Sequence, residues 1–301
     1  HRGTAPGINA LFTCIYLFHM AIFCTASGLV AKFSLRKLVT QQLWLYLISQ
    51  AGITAFRAAA LKDNIVDQGG WLQNVLLPWR HMWYLYALLF WHLTLPLLCL
   101  LRDRLGLVGS CLGMALAVAV GLAGGLIDWP FMLVRVFAFF PFYAFGVLFR
   151  PQLDTLAAFA AQNRAARLLP AAGLAVGYGL YFIRVFCSET ILDNSAELFH
   201  DVSYAGGDRP EYRIVFYLVG IATTAALVAA FSSGRRLTGL GRRTLAIYLL
   251  HLPILALLVQ LQLFEPLRGA PVALPVLWYT LLATAALAVL NWQPVQTLFD
   301  F

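Results

Sequence analysis

Three histidines lie inside long apolar stretches of the chain, where ionisable side chains are costly. His19 is near the middle of the first stretch, His92 near the middle of the third, and His251 near the start of the eighth. An Arg or Asp at mid-span costs about 2.5–3.5 kcal/mol on insertion scales, so an ionisable residue there is a functional candidate. A neutral imidazole can accept a proton from a hydroxyl group near physiological pH. The alternative is a histidine bonded to a carbonyl of a neighbouring helix, which we favour for His92.

His251 shares one helix face with two further polar residues. Thr244, Tyr248 and His251 are spaced i, i+4 and i+7, so they form a polar stripe on one side of a helix. The stripe has to face the bundle interior or a wet cavity. Both a structural hydrogen-bond network and a substrate contact fit this pattern.

Arginines also lie toward the predicted outer ends of four apolar stretches. These are Arg57, Arg135, Arg184 and Arg213. In one interpretation they pair with acidic residues or extend to lipid headgroups. In the other they line an outward-facing pocket that binds a polar or anionic acceptor by charge-assisted hydrogen bonds. Trp83, at a similar level, fits either an interfacial aromatic belt or a platform for a sugar ring.

The composition is that of an integral membrane protein. Hydrophobic residues make up 61% of the 301 residues and charged residues 11%, and the mean hydropathy is +0.78. Soluble domains have roughly 45–50% apolar and about 25% charged residues. The apolar runs are continuous, which favours helices over a barrel. The net charge of +8 falls in short connectors without a basic face, which argues against nucleic-acid binding.

Nine apolar segments have the length of a transmembrane helix. They are Asn9–Ala31, Gln41–Ala59, Met82–Leu101, Leu107–Ile127, Phe131–Phe149, Leu169–Cys187, Arg213–Phe231, Thr244–Leu263 and Val272–Asn291. The sequence therefore predicts an all-α polytopic helical bundle in a single transmembrane domain, residues 1–301. It contains no internal repeat and no mid-membrane carboxylate, which weighs against an ion-coupled transporter.

The basic residues predict the orientation of these spans. One set of alternate loops contains 12 Lys and Arg residues, and the opposite set contains 5. Because cytoplasmic loops are enriched in Lys and Arg, the set with 12 is predicted to be cytoplasmic, which places the C-terminus inside. The first set is Lys32, Arg36, Lys37, Arg102, Arg104, Arg150, Arg164, Arg167, Arg235, Arg236, Arg242 and Arg243. The second is Arg2, Lys62, Arg80, Arg209 and Arg268. A chain that starts outside departs from the usual inner-membrane arrangement, which one upstream helix would restore.

The five cysteines indicate neither a metal site nor a disulfide framework. They lie within or at the ends of apolar segments, without CxxC spacing or a nearby histidine. The chain also lacks a P-loop, a GxSxG elbow, an HExxH motif and paired carboxylates. We therefore expect no bound metal or cofactor.

Four sequence elements resemble the acyltransferase-3 family of membrane O-acyltransferases, in its fucose-4-O-acetylase-like branch. IYLFHMAIFCTASGLVAKF resembles the family's FHMPLFFFISGY helix, with Ala21 in place of the usual Pro. HMWYLYALLFWHL resembles its LWFLxxL helix, RVFAFFPFYAFGVLF its R…F…PFFxLG helix, and LTGLGRRTLAIYLLHLPIL its LGxxSLxIYLLH element. They occur in the family's order and extend across most of the chain.

The resemblance implies ten helices and transfer of an acyl group, usually acetyl from cytoplasmic acyl-CoA, to a hydroxyl of a sugar or glycolipid. It also implies a first-helix motif of Arg followed eleven residues later by His. His1 stands where that histidine falls, so we expect the first helix to be missing from this chain. The implied catalytic residues are His1 and His19. The implied substrate-binding residues are Arg57, Trp83, Arg135, Tyr143, Arg184, Tyr248 and His251.

We therefore predict a membrane O-acyltransferase of the bacterial inner membrane that modifies an extracytoplasmic or lipid-linked carbohydrate. The expected partners are membrane lipid, acyl-CoA and a carbohydrate or glycolipid acceptor. Cytoplasmic cations are expected either to attract the phosphates of CoA or only to set the topology. These are Arg36, Lys37, Arg235, Arg236, Arg242 and Arg243. The alternatives are a non-catalytic permease for a polar or lipid-linked solute and a binding or assembly subunit.

Overall fold

The structure is a computed structural model that describes residues 14–124, 126, 132–186, 210–232, 244–263 and 273–293. Every regular element within these ranges is helical. The main helices are α1 His19–Val30, α2 Trp44–Ala60, α3 Gly70–Leu76, α4 Trp83–Ala123, α5 Leu133–Leu148, α6 Arg150–Gln162, α7 Arg164–Phe186, α8 Pro210–Ala230, α9 Thr244–Gln260 and α10 Ala273–Leu290. Short elements are the one-turn helix Leu35–Lys37, the π-helix Leu38–Leu43 and the 3₁₀ turn Arg80–Met82.

Three of these helices are long and apolar enough to cross a membrane. They are Arg80–Ala123, Arg164–Arg184 and Tyr212–Ala230, and the pair Leu133–Leu148 and Arg150–Gln162, bent by 66°, counts as a fourth. Shorter apolar helices cover Cys14–Val30, Thr244–Gln260 and Leu277–Leu290. The described residues thus support an all-α membrane protein, but they do not confirm the predicted count of nine spans.

The chain divides into two compact units. Unit 1 comprises His1–Leu38 and Trp83–Ser233, and unit 2 comprises Val39–Met82 and Gly234–Phe301. Unit 1 holds α1 and α4–α8, and unit 2 holds α2, α3, α9 and α10. The single domain expected from the sequence stays a prediction.

The long helix α4 turns back on itself at Gly106. The backbone of Gly106 has φ 57° and ψ −132°, which is not helical and is readily adopted only by glycine. A Cβ added at Gly109 would overlap the carbonyl oxygen of Leu101, although eight residues of straight helix span about 12 Å. The helix is therefore a hairpin, and its turn lies where the sequence predicts a break between the third and fourth spans.

The first half of α4 runs parallel to α5. Trp91 Nε1 donates to the carbonyl oxygen of Val136 at 2.9 Å. Further along both helices, Arg102 Nη1 donates to the carbonyl oxygen of Val147, also at 2.9 Å. This relation matches the predicted alternation, in which the third and fifth spans share a direction.

The second half of α4 runs antiparallel to α5. Ser110 Oγ donates to the carbonyl oxygen of Leu148 at 2.9 Å, and a Cβ added at Gly121 would lie against Pro141. The last carbonyls of a helix have no partner within it. Ser110 and Arg102 therefore satisfy the C-terminal end of α5, and the positive charge of Arg102 is favourable there.

Helix α1 also packs on α5, in the parallel sense. A Cβ added at Gly220 of α8 would lie against both Ala21 of α1 and Phe142 of α5. Further along, a Cβ added at Gly28 would overlap the carbonyl oxygen of Tyr143, and one at Gly146 would overlap that of Thr25. Only glycine at both positions allows the two backbones to approach this closely.

In unit 2, the chain after α2 folds back along it. Tyr46 donates through its hydroxyl to the carbonyl oxygen of Leu76 at 2.9 Å. Gln50 Nε2 and Thr54 Oγ1 donate to the carbonyl oxygen of Asn74 at 2.9 and 3.1 Å. Polar side chains on successive turns of α2 thus bind α3, and we call this contact the α2–α3 clasp. The segment that the sequence analysis treated as an outer connector is an ordered return along the helix.

Candidate functional site

His19 has the geometry of a general base in unit 1. It is half-buried, and its Nδ1 lies 2.9 Å from the carbonyl oxygen of Ile15, one turn earlier. A carbonyl oxygen only accepts hydrogen bonds, so Nδ1 carries the proton of the neutral ring. The lone pair therefore lies on Nε2, the nitrogen that points away from the helix backbone. A base with a fixed tautomer of this kind can take a proton from a hydroxyl group.

Tyr16 packs against His19, edge to face, with ring centroids 4.8 Å apart. Two other predicted site residues form a pair in the same unit. The guanidinium carbon of Arg135 lies 6.0 Å from the ring centroid of Trp83, a cation–π distance. The structure therefore pairs His19 with Tyr16, and Arg135 with Trp83.

The other motif residues of α1 hold this helix in place. Ser27 and Tyr84 share a hydrogen bond between their hydroxyl groups. The rings of Phe23 and Tyr84 are also in contact, with centroids 6.1 Å apart. Gly28 provides the close approach to α5. The FHM…SG pattern therefore contains one residue suited to proton transfer and several that fix its position.

Tyr143 lies in the core of unit 1. It is fully buried between α1 and α4, with its ring centroid 5.4 Å from that of Trp91 and 5.9 Å from that of His92. Within the described residues its hydroxyl has no hydrogen-bond partner. This position fits a packing role better than the expected contact with substrate.

Arg57 is the centre of a hydrogen-bond network in unit 2. Its side chain is buried, and Nε donates to Asp63 Oδ2 at 2.9 Å. Nη1 donates to Asn74 Oδ1 at 2.8 Å and Nη2 to Gln68 Oε1 at 2.5 Å. The guanidinium carbon lies 5.4 Å from the ring centroid of Trp79. Of the two interpretations offered for the outer arginines, the geometry favours internal pairing for Arg57.

Tyr248 and His251 lie together in unit 2, against a third residue that the sequence analysis did not select. The ring centroid of His81 is 5.2 Å from that of Tyr248 and 4.9 Å from that of His251. The Tyr248 hydroxyl donates to the backbone carbonyl of His81. His81 Nε2 donates to the carbonyl oxygen of Leu249 at 3.2 Å. The predicted polar stripe of α9 thus makes a reciprocal contact, which we call the His81 cluster.

The sequence analysis did not identify His81 as a candidate, because only ionisable residues inside apolar stretches were considered. His81 lies just before such a stretch. A signal was present, since His81 immediately precedes Met82 and Trp83 in the element that resembles the LWFLxxL helix. His251 itself is exposed, and its Nδ1 lies 2.7 Å from the carbonyl oxygen of Tyr248. As in His19, this contact leaves the lone pair on Nε2.

The remaining predicted site residues are spread along the chain. Arg184 is exposed near the end of α7, and Arg36 and Lys37 are exposed in the one-turn helix Leu35–Lys37. His1, Arg242 and Arg243 lie outside the described residues. Within the described ranges, no group of three or more His, Cys, Asp or Glu side chains is arranged to hold a metal ion.

Comparison with known proteins identifies the family. A family model described as an acyltransferase domain matches residues 3–290. The chain belongs to the acyltransferase-3 family. Membership makes it an acyltransferase, and its apolar helices make it a membrane acyltransferase. No curated protein and no solved structure matches this acyltransferase.

Proposed function

We propose that this acyltransferase transfers an acetyl group from acetyl-CoA to a hydroxyl of an extracytoplasmic or lipid-linked carbohydrate. The observation that carries the proposal is the fixed tautomer of His19, which leaves Nε2 as a proton acceptor. The four motif elements support the same reaction class, since they resemble the branch of the family that modifies sugars. No resident cofactor takes part, and acetyl-CoA is a co-substrate.

In the proposed reaction, His19 Nε2 takes the proton of the acceptor hydroxyl as its oxygen attacks the thioester carbonyl. A C–O bond forms and a tetrahedral oxyanion results. The oxyanion collapses, the C–S bond breaks, and the CoA sulfur leaves with the electron pair. The proton on His19 then passes to that sulfur, which gives the acetyl ester and free CoA. Removal of such a base typically lowers the rate by about 10²–10⁴-fold.

Arg135 and Trp83 supply the contacts expected of an acceptor or oxyanion site. A guanidinium donates charge-assisted hydrogen bonds to an oxyanion or an anionic sugar. An aromatic face packs against a sugar ring. Arg135 is half-buried and lies beside Trp83, in the same unit as His19. Arg184, Tyr248 and His251 stay in the proposal as further substrate contacts.

The proposed membrane location and the proposed binding of acetyl-CoA both rest on the distribution of basic residues. The 12-to-5 bias of basic residues favours a cytoplasmic C-terminus in a bacterial inner membrane. Arg36 and Lys37 are exposed, so they are accessible to the phosphates of CoA. Arg242 and Arg243 have the same proposed role, and His1 is the second candidate for the base.

The test is transfer of label from radioactive acetyl-CoA to membrane glycolipids by the full chain and by two variants, His19→Ala and His1→Ala. Gly177→Ala is the matched control, because a Cβ at Gly177 meets no atom within 4 Å. We expect a labelled carbohydrate product with the wild type and the control, and loss of at least one hundredfold, about 3 kcal/mol, with His19→Ala. Equal activity in His19→Ala would remove it from the site, and loss only in His1→Ala would assign the base there. No label from any folded version would favour the permease.

A further inference from the structure

The His81 cluster joins two distant segments of unit 2 by hydrogen bonds in both directions. The Tyr248 hydroxyl donates to the backbone carbonyl of His81, a residue 167 positions earlier in the sequence. In return, His81 Nε2 donates to the carbonyl oxygen of Leu249 at 3.2 Å. The 3₁₀ turn that holds His81 is therefore fixed against the turn of α9 that carries Tyr248 and Leu249.

The ring of His81 also packs against both polar rings of α9. Its centroid is 5.2 Å from that of Tyr248 and 4.9 Å from that of His251, with an angle of 67° between the ring planes in each pair. Aromatic rings attract one another in this edge-to-face arrangement. The contact therefore favours one orientation of the His251 ring over the others.

His81 itself is not accessible to a substrate. Its Nε2 is bonded to Leu249, and its Nδ1 is buried and has no hydrogen-bond partner among the residues that the structure describes. His251, by contrast, is exposed. Its Nδ1 lies 2.7 Å from the carbonyl oxygen of Tyr248, so the lone pair of the neutral ring is on Nε2, on the far side of the ring. A role for His81 in binding therefore has to act through His251.

The backbone beside His81 is strained. Arg80 has a φ of 43°, in the left-handed region that residues other than glycine rarely adopt. Such a conformation costs free energy and persists only where the surrounding contacts determine it. The hydrogen bonds that His81, the next residue, makes with α9 are contacts of this kind. Strain of this type is frequent at binding sites.

The α2–α3 clasp supports the cluster from its other side. The ring centroid of Trp79 is 6.2 Å from that of His81. The guanidinium carbons of Arg57 and Arg80 lie 5.4 and 5.3 Å from the Trp79 centroid, both at cation–π distances. Arg57 is also the centre of the hydrogen-bond network that orders the return segment. The position of His81 is thus fixed by α9 and by the clasp together.

We propose that His81 is a positioning residue, which holds His251 in the orientation where its Nε2 accepts a hydrogen bond from a hydroxyl of the carbohydrate acceptor. The proposal rests on the proposed function, in which His251 is a substrate contact. A nitrogen with a lone pair binds a hydrogen-bond donor, and a sugar hydroxyl is such a donor. An anion has no proton to donate to it.

Steady-state kinetics with acetyl-CoA and butyl glucoside test the role of His81. His81→Phe keeps a ring but loses the Nε2 donor, whereas His81→Gln keeps an N–H group near that position. We expect His81→Phe to raise KM for butyl glucoside about three- to tenfold, the effect of one lost hydrogen bond. His81→Gln should restore part of this loss. Neither kcat nor KM for acetyl-CoA should change, because the lost contact is to the acceptor in its ground and transition states alike.

A double-mutant cycle separates positioning from a general structural role. If His81 acts through His251, His81→Phe should not raise KM further in a His251→Ala background. Additive effects, or a fall in kcat with unchanged KM, would overturn the proposal. Tyr248→Phe removes only the hydroxyl that donates to His81, so it provides the same test if His81→Phe does not fold. Gly177→Ala is the control, because a Cβ there meets no atom within 4 Å.

Binding measured without turnover distinguishes this inference from the proposed reaction. The full chain is labelled with ¹⁵N-histidine in micelles, and the His251 signals are assigned by their loss in His251→Ala. We expect butyl glucoside to shift the Nε2 signal of His251 in the wild type and to shift it much less in His81→Phe. Transfer without this shift, or with equal shifts in both proteins, would overturn the role of His81 and keep the reaction. The expected shifts without transfer to any acceptor would overturn the reaction and keep hydroxyl binding.

Discussion

Two helix contacts in this acyltransferase are held together by opposite means. In unit 1, α1 meets α5 at Gly28 and Gly146, where backbone lies directly against backbone. In unit 2, α2 holds α3 through the side chains of Gln50, Thr54 and Arg57. The first contact depends on the absence of side chains, and the second on polar side chains that donate hydrogen bonds to Asn74.

The difference follows from what each contact has to position. Helices in lipid gain little from hydrophobic association, so packing and interhelical hydrogen bonds decide which pairs form. The α1–α5 crossing fixes the helix that carries His19, and close backbone packing holds it rigidly. The α2–α3 clasp holds an irregular return segment, whose backbone polar groups need partners. Close backbone packing and interhelical hydrogen bonds are therefore two alternative ways to hold helical segments together in lipid.

The largest expected effect comes from adding bulk to the crossing. In Gly146→Leu, the new Cβ would overlap the carbonyl oxygen of Thr25, which a backbone cannot easily move away from. We expect no monodisperse folded protein by fluorescence-detected size-exclusion chromatography. Gly173→Leu is the control, because a Cβ there meets no atom within 4 Å, and it should behave as wild type. A normal elution profile for Gly146→Leu would show that the crossing is not tightly packed.

The next effect comes from the buried charge in the clasp. Arg57→Met leaves Asp63, Asn74 and Gln68 without their shared donor. Because the Asp63 carboxylate is 33% exposed, water can hydrate it after the change, and we expect a loss of about 1.5–3 kcal/mol, typical of hydrogen bonds to charged groups. Equilibrium unfolding in mixed micelles measures the loss, with exposed Arg184→Met as the control. Equal stability of the two variants would mean that the clasp does not depend on Arg57.

A smaller loss is expected from a single neutral hydrogen bond of the clasp. Thr54→Val keeps the side-chain shape but removes the donor to the carbonyl oxygen of Asn74. Thr54 is fully buried, so about 1 kcal/mol of unfolding free energy should be lost. The same equilibrium unfolding experiment measures it. A loss comparable with that of Arg57→Met would show that the clasp unfolds as one cooperative network.

The smallest effect is expected beside the crossing, where hydrogen bonding is secondary to packing. Ser27→Ala removes the hydroxyl that pairs with Tyr84, and this site is only part-buried. We expect a loss of about 0.5 kcal/mol. Combining it with Tyr84→Phe in a double-mutant cycle isolates the coupling between the two hydroxyls. A Ser27–Tyr84 coupling energy larger than the losses measured for the clasp variants would show that hydrogen bonding matters more near the crossing than in the clasp.

The sequence predicted the features that have a local signature. Continuous apolar runs predicted the helices, and the basic residues at 102 and 104 predicted the break that the structure has at Gly106. The family was predicted correctly, because four motifs in order are specific enough together.

The features without a local signature were not predictable. Nothing in the sequence near Gln50 shows that it binds the backbone of Asn74, since the two meet only through tertiary folding. His81 lies at a helix start, where a histidine carries no penalty that would draw attention to it. The predicted count of nine spans is not confirmed within the described residues, where several apolar helices are shorter than a membrane span. Depth and direction depend on contacts that composition does not encode.

The contact between His19 and the carbonyl of Ile15 has an evolutionary consequence. In many enzymes a separate residue on another element sets the tautomer of the catalytic histidine, so the two have to change together. Here the helix that carries the base also sets its tautomer, four residues away. If His19 is the base, substitutions on the other helices would leave its tautomer unchanged. One helix could then serve acceptor pockets of different shapes in the proposed reaction.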